Sequence, residues 1–274
     1  MNQKEYQNVV NAFEKYYKTF DNPSYNMILK YQHSYNVADY MMELAKRLKL
    51  SRSDQYLAKT IGLLHDIGRF EQLREINSFS DNLFDHALYG IKYLFDENHI
   101  RDFIESNKND LIIKEAILNH NKYKIDSKLK GRKLKFAYMI RDMDKVDIYY
   151  QVATKYVPKF YVEPSKRAMD ALYNGESVYK DDVLNDSDKF IQMMAFINDI
   201  YYSESIDILR DSNNLNYYIC SIDVKEDYKE LFDKIVNYCL NKIEMGGLNE
   251  ESWFLFWKKF NERKINWYVS VGNS

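Results

Sequence analysis

A chain of 274 residues with only 8 glycines and 3 prolines has few positions where the backbone can turn tightly. Sandwiches and barrels need a turn signal roughly every ten residues, whereas helices joined by polar linkers do not. The 25 tyrosines favour strands by propensity, yet they stand in Lys/Glu/Asn-rich stretches whose apolar residues recur three and four apart. Period outweighs propensity over windows of this length, so the expectation is an all-α fold. The length suits one compact domain, or one with a helical extension.

The periodicity predicts a first helix over 4 to 19, ended by Asp21-Asn22-Pro23. A long second helix follows, capped by Ser24 and running to about Leu50. On it His33, Val37, Met41, Leu44 and Leu48 share the buried stripe. Ser53 reads as the cap of a third helix through Leu57, Ile61 and Leu64, closing at His65-Asp66-Ile67-Gly68 with Gly68 as its terminal glycine. Further helices are predicted over about 69 to 76, 85 to 97, 109 to 120 and 133 to 150, with a polar loop at 121 to 131. Past Tyr150 the pattern loosens around Val157-Pro158 and Glu163-Pro164 and resumes near 187 to 209 and 224 to 244. Residues 1 to 150 therefore read as the helical core and 151 to 274 as its extension.

Basic and acidic residues number 39 and 41 and are mixed along the chain, so no field for a nucleic acid polymer or a membrane surface is built in. The N-terminus lacks an apolar signal region, and no run approaches about 18 uncharged apolar residues. The reading is a cytoplasmic protein. Cys220 and Cys239 follow no metal or redox spacing and read as reduced core residues. Trp253, Phe256, Trp257 and Phe260 form an aromatic stripe at helical spacing, read as core or as the contact of a homo-oligomer.

The chemistry is concentrated in the five histidines: His33, His65, His86, His99 and His120. A His-Asp dipeptide arises by chance about a quarter of the time in such a chain, so the pair alone says little. Its setting says more, because Leu63-Leu64-His65-Asp66-Ile67-Gly68-Arg69 delivers an imidazole and a carboxylate to the end of an apolar helix. Buried there without partners, the two groups would cost several kcal/mol, so a metal or a hydrogen-bonding network is required.

These residues resemble the HD superfamily of metal-dependent phosphohydrolases, which carry a first His, a His-Asp pair and a later Asp. The matches are His33 in Gln32-His33-Ser34, the pair His65-Asp66, and Asp144 in Arg141-Asp142-Met143-Asp144-Lys145-Val146. Met143 departs from the small residue usual before that Asp, while Val146 keeps the usual aliphatic residue after the Lys. Helix phase alone does not choose among Asp142, Asp144 and Asp147; the motif selects Asp144. His86 in Phe84-Asp85-His86-Ala87 and His120 in Leu118-Asn119-His120-Asn121 fall in the slots of the two further histidines that two-metal members carry.

The resemblance covers about residues 25 to 150 and implies an HD-type helical bundle. It also implies one or two divalent ions of Mn, Fe, Co, Ni or Zn, with Mg compatible. His33, His65 and Asp144 would hold one, His86 and His120 the other, and Asp66 would bridge them and be catalytic. Lys145 and Arg69 adjoin these ligands, Lys145 as a catalytic and substrate cation and Arg69 as a substrate cation, though salt-bridged helix residues look the same in sequence. His99 matches no motif. The implied activity is hydrolysis of a phosphate ester on a nucleotide or other small phosphorylated metabolite. A di-iron oxygenase would use the same ligand pattern, and a non-catalytic metal or nucleotide sensor is the third reading.

Overall fold

In the computed structural model the described residues are 1–243, and they are mostly helical with almost no sheet. The aromatic stripe at Trp253 to Phe260 lies outside them. The described residues form two compact units, one of 1–151 with 200–211, the other of 152–199 with 212–243.

In the first unit the helices begin where capping chemistry allows. Helix α1 (Gln3–Tyr17) opens with a capping box in which Asn2 Oδ1 accepts the Glu5 N–H at 3.0 Å and Glu5 Oε2 accepts the Asn2 N–H at 2.6 Å. Ser24 caps α2 (Tyr25–Arg47), as expected. The cap of α3 (Arg52–Leu64) is Ser51 rather than Ser53. The Ser53 hydroxyl instead accepts from the N-terminal ammonium at 2.5 Å.

Gly68 is likewise no helix terminator. Helix α3 ends at Leu64, and α4 (Ile67–Ile76) starts after a break at His65 and Asp66, so Gly68 is the second residue of α4. A Cβ there would stand 2.1 Å from the His86 carbonyl oxygen, so the bare glycine lets α4 meet α5 (His86–Ile91) backbone to backbone. Gly62 does the same between α3 and α2, where a Cβ would fall 2.6 Å from Ala38 Cα. The stretch predicted as one helix over 85 to 97 divides into α5 and a π-helical turn at Lys92–Asp96. After α6 (Ile100–Phe103) come α7 (Asp110–His120) and the long α8 (Gly131–Lys155).

The tyrosines serve helix packing. Phe13, Tyr16, Tyr17, Phe20 and Phe70 interlock with ring centroids 5.3 to 6.2 Å apart. Tyr31 and Tyr35 each donate to Glu14 Oε1 at 2.5 Å, so their rings fill space while their hydroxyls find an acceptor.

In the second unit, β1 (Lys159–Phe160) pairs in parallel with β2 (Asp223–Val224), a short latch the helical reading did not anticipate. Helix α9 (Lys166–Tyr173) was also unforeseen, as was α12 (Asn214–Ser221). The helix expected over 187 to 209 is broken into α10 (Asp186–Ala195), a 3-10 turn at Phe196–Asp199, and α11 (Ser203–Ser212), which belongs mostly to the first unit. Phe160, Phe190 and Phe232 centre the second core, and α13 (Lys229–Lys242) closes it. Cys220 and Cys239 are unpaired thiols, each pushed up to about 12 by burial. Among the described residues no helix is long and apolar enough to cross a membrane.

Candidate metal centre

The first unit brings four helices and one helix break to a single point. His33 comes from the middle of α2, His86 is the first residue of α5, His120 the last of α7, and Asp144 lies within α8. His65 and Asp66 sit at the α3–α4 break, where the Asp66 side chain makes no capping bond and is free to turn inward. Ligand atoms of His33, His65 and Asp66, of His65, His120 and Asp144, and of Asp66, His86 and His120 each lie within 4.8 Å of one another.

The ring tautomers follow from what stands behind each imidazole. The Nδ1 atoms face acceptors: Asp147 Oδ2 at 2.6 Å for His33, Gly62 O at 2.7 Å for His65, Asp81 Oδ1 at 2.7 Å for His86 and Ile117 O at 2.7 Å for His120. Each neutral ring therefore carries its proton on Nδ1 and turns the Nε2 lone pair inward. There the lone pairs meet more acceptors. His33 Nε2 is 3.0 Å from Asp144 Oδ1, His65 Nε2 is 3.6 Å from it, and the Nε2 atoms of His86 and His120 are 3.0 Å apart.

Asp66 divides its oxygens between the two groups. Oδ2 lies 3.6 Å from both His33 and His65, and Oδ1 lies 3.0 Å from His86 and 3.4 Å from His120. His33 Nε2, His65 Nε2 and Asp66 Oδ1 are buried with no hydrogen-bond partner of adequate geometry. Converging lone pairs and carboxylates, shielded from water, are a donor set for a cation, and the residues fit one or two divalent ions.

The electrostatics agree. Burial acts to raise the Asp66 carboxyl, but Lys30, His65, Arg69 and the His120 bond outweigh it and hold it well below the usual carboxylate range. Asp144, also opposed by burial, is held down by His33 and His65. His33 is raised: burial and Lys30 push it down, and its bonds to Asp144 and Asp147 prevail.

The three aspartates of α8, alike in sequence, separate by helix phase. At about 100° per residue Asp142 points away from Asp144. Asp142 instead accepts the N–H groups of Tyr201 and Tyr202, each at 3.0 Å, and the Ser205 hydroxyl at 2.7 Å. Asp147 stands behind His33, itself held by Asn36 at 2.9 Å and Gln151 at 3.1 Å. One turn before Asp144 in the other direction, Arg141 donates to the carbonyls of Asn119 at 3.2 Å, His120 at 3.5 Å and Lys122, neutralising the C-terminus of α7 that presents His120.

Arg69 donates from Nη1 to Gln72 Oε1 at 2.6 Å and Asp81 Oδ1 at 2.9 Å, and its Nη2 lies 3.0 Å from His86 Nε2. Lys145 is buried, donates to the Arg141 carbonyl at 3.3 Å, and its charge works against the rise that burial imposes on the Asp142 carboxyl. His99 lies apart, pairing with Asp102 and stacking on Tyr93. Sequence reasoning missed Lys30, whose Nζ is 2.7 Å from Asp66 Oδ2 with the side chain only 14% exposed. Its position three residues before His33, on the same face of α2, was the available signal. Asp81 had none, because it reaches the centre from a loop.

No curated protein and no solved structure matches the chain. Residues 31–149 match the family model described as the HD domain, a span that runs from just before His33 to just past Asp147. Over this segment the chain is thus similar to the HD-domain family, and its first His, His-Asp pair and later Asp are the residues that converge in the buried cluster.

Proposed function

We propose that this chain is a metal-dependent phosphohydrolase acting on a small phosphorylated substrate, a nucleotide or another phosphorylated metabolite. The observation that carries the reading is the buried convergence of inward Nε2 lone pairs and two carboxylates, with two cations set against the shared one, Asp66. Divalent ions held there would supply Lewis-acid polarisation and acidify a water near neutral pH. In the reaction an O–P bond forms to water, the ester P–O bond breaks, and the departing oxygen takes a proton.

The chain's own residues supply the rest. His33, His65 and Asp144 would hold one cation and His86 and His120 the other, with Asp66 offering one oxygen to each. Lys30 and Arg69 flank Asp66, Lys30 Nζ at 2.7 Å and Arg69 Nε at 3.7 Å, where their charges suit phosphate oxygens. The Arg69 fork is pre-set by Gln72 and Asp81, so little freedom is lost on binding. Lys145 is the third cation of the reading: Lys145→Ala is expected to lower phosphate release at unchanged metal content, and a parallel loss of both would return it to a role within α8.

Asp66→Asn tests the centre itself. Asparagine has nearly the same volume, and the Asp66 side chain caps no helix, so the fold should persist with an unchanged circular dichroism spectrum. Removing the anion that offsets two neighbouring dications should cost at least one metal ion and nearly all phosphate release. Wild-type metal stoichiometry with near-normal phosphate release from a screen of nucleotides and phosphorylated metabolites would overturn the assignment.

A further inference from the structure

The two halves of the centre are backed differently. Behind His33 stands Asp147, which is fully buried in α8 and held by Asn36 and Gln151, so its place is set by rigid helices. Behind His86 stands Asp81, which belongs to the loop between α4 and α5. That loop starts at Asn77, in the left-handed region with φ 44°, and ends at Asp85, the cap of α5. Two α4 side chains hold it. Gln72 Nε2 donates to Phe84 O at 2.6 Å and Ser80 O at 3.2 Å, and Arg69 Nη1 donates to Phe79 O at 3.4 Å.

Asp81 is where these threads meet. Its Oδ1 accepts from His86 Nδ1 at 2.7 Å, Arg69 Nη1 at 2.9 Å and Gln72 Nε2 at 3.3 Å. Two residues earlier, the Phe79 ring faces Arg69 at 5.7 Å and Lys30 at 6.0 Å, the same two cations that flank Asp66. One loop therefore sets both a ligand histidine and the cations beside the shared carboxylate.

We propose that Asp81 is a positioning residue for the His86–His120 half of the centre, and that through it the 77–85 segment is a strap whose order is coupled to a divalent ion held there. This rests on the two-cation form of the proposed function. A carboxylate behind a ligating imidazole fixes its tautomer and orientation and raises its basicity, which is worth roughly 10- to 100-fold in metal affinity. Coupling is reciprocal, so an ion that fixes His86 also fixes Asp81 and the strap, and with them the Phe79 ring against Lys30 and Arg69. The other half lacks this dependence, because Asp147 is already immobile in α8. The two ions should thus load in distinguishable steps, only one of which orders the strap.

The test uses the full chain, freed of metal by chelation and titrated with Mn(II). Affinities are read by competition with a chelating dye, and the strap by hydrogen exchange of the amides in 77–85. Wild-type protein is expected to take up two equivalents, with exchange in 77–85 slowing at one of the two steps. Asp81→Asn should weaken that step by roughly 10- to 100-fold, leave the other unchanged and abolish most of the protection. Asp147→Asn should weaken the other step and keep the protection. The proposal is overturned by a single equivalent in wild-type protein, by exchange in 77–85 that ignores Mn(II), or by an Asp81→Asn variant that binds both equivalents like wild type. None of these readouts needs turnover: the expected binding and protection with no phosphate released from any substrate would sink the hydrolase reading and leave Asp81 in its role.

Discussion

At Gly68 the absence of one methyl group decides where His86 stands. Because an added Cβ would meet the His86 carbonyl oxygen at 2.1 Å and the Gly90 nitrogen at 2.7 Å, neither of which belongs to a flexible side chain, α4 and α5 would have to part. Gly68→Ala is expected to destabilise the chain by about 3 kcal/mol, at the upper end of overpacking penalties, as read by denaturant titration. It should also weaken Mn(II) uptake at the His86–His120 half while sparing the half built on His33, His65 and Asp144. A variant with wild-type stability would show that the helices can shift past each other freely. The same scale explains Lys30. A lysine in a mixed-charge helix looks like any solvated lysine until its 2.7 Å bond to Asp66 is seen.

Among the elements, α8 organises the most. Its successive faces cap α7 through Arg141, offer Asp144 to the centre, support His33 through Asp147 and anchor the returning segment 200–205 through Asp142. That last contact breaks the helix expected over 187 to 209, since the Tyr201 and Tyr202 N–H groups that a continuous helix would use internally are taken by a carboxylate. Burial pushes the Asp142 carboxyl up to about 6, with its three donors working against the rise. Asp142→Ala removes that buried charge but leaves the donors unmatched, at about 1–3 kcal/mol for an unmatched buried group. The expected net loss is about 2 kcal/mol in chemical denaturation, with metal content unchanged because Asp142 faces away from the centre. Loss of metal in this variant would place Asp142 among the groups that set Asp144.

For the molecule as a whole, a ligand that binds only the folded state stabilises it by mass action. Each ion held at a concentration a hundredfold above its dissociation constant adds about 2.7 kcal/mol. For a chain of this size that corresponds to a rise in Tm of roughly 5–10 °C per ion, measurable by calorimetry on adding Mn(II) to chelated protein. A Tm indifferent to Mn(II) and to chelator would mean that the cluster holds no ion of consequence.

What the sequence determined by itself was the part governed by local chemistry and repetition. Scarce turn formers and a three-and-four period set the helical class. The placing of His65 and Asp66 at the end of a buried helix demanded a partner, and the spacing of the remaining histidines and Asp144 resembled the family whose domain spans 31–149. Tertiary structure alone decided what Asp142 and Asp147 bind instead, that Gly68 serves close packing rather than termination, and that Lys30 and Asp81 join the site. The reason is range. His33 and Asp147 are 114 residues apart, Lys30 and Asp66 are 36 apart, and Asp142 and Tyr202 are 60 apart. No local period or cap reports such a pairing, because it exists only once the helices have packed and each side chain has either found its partner or been left without one.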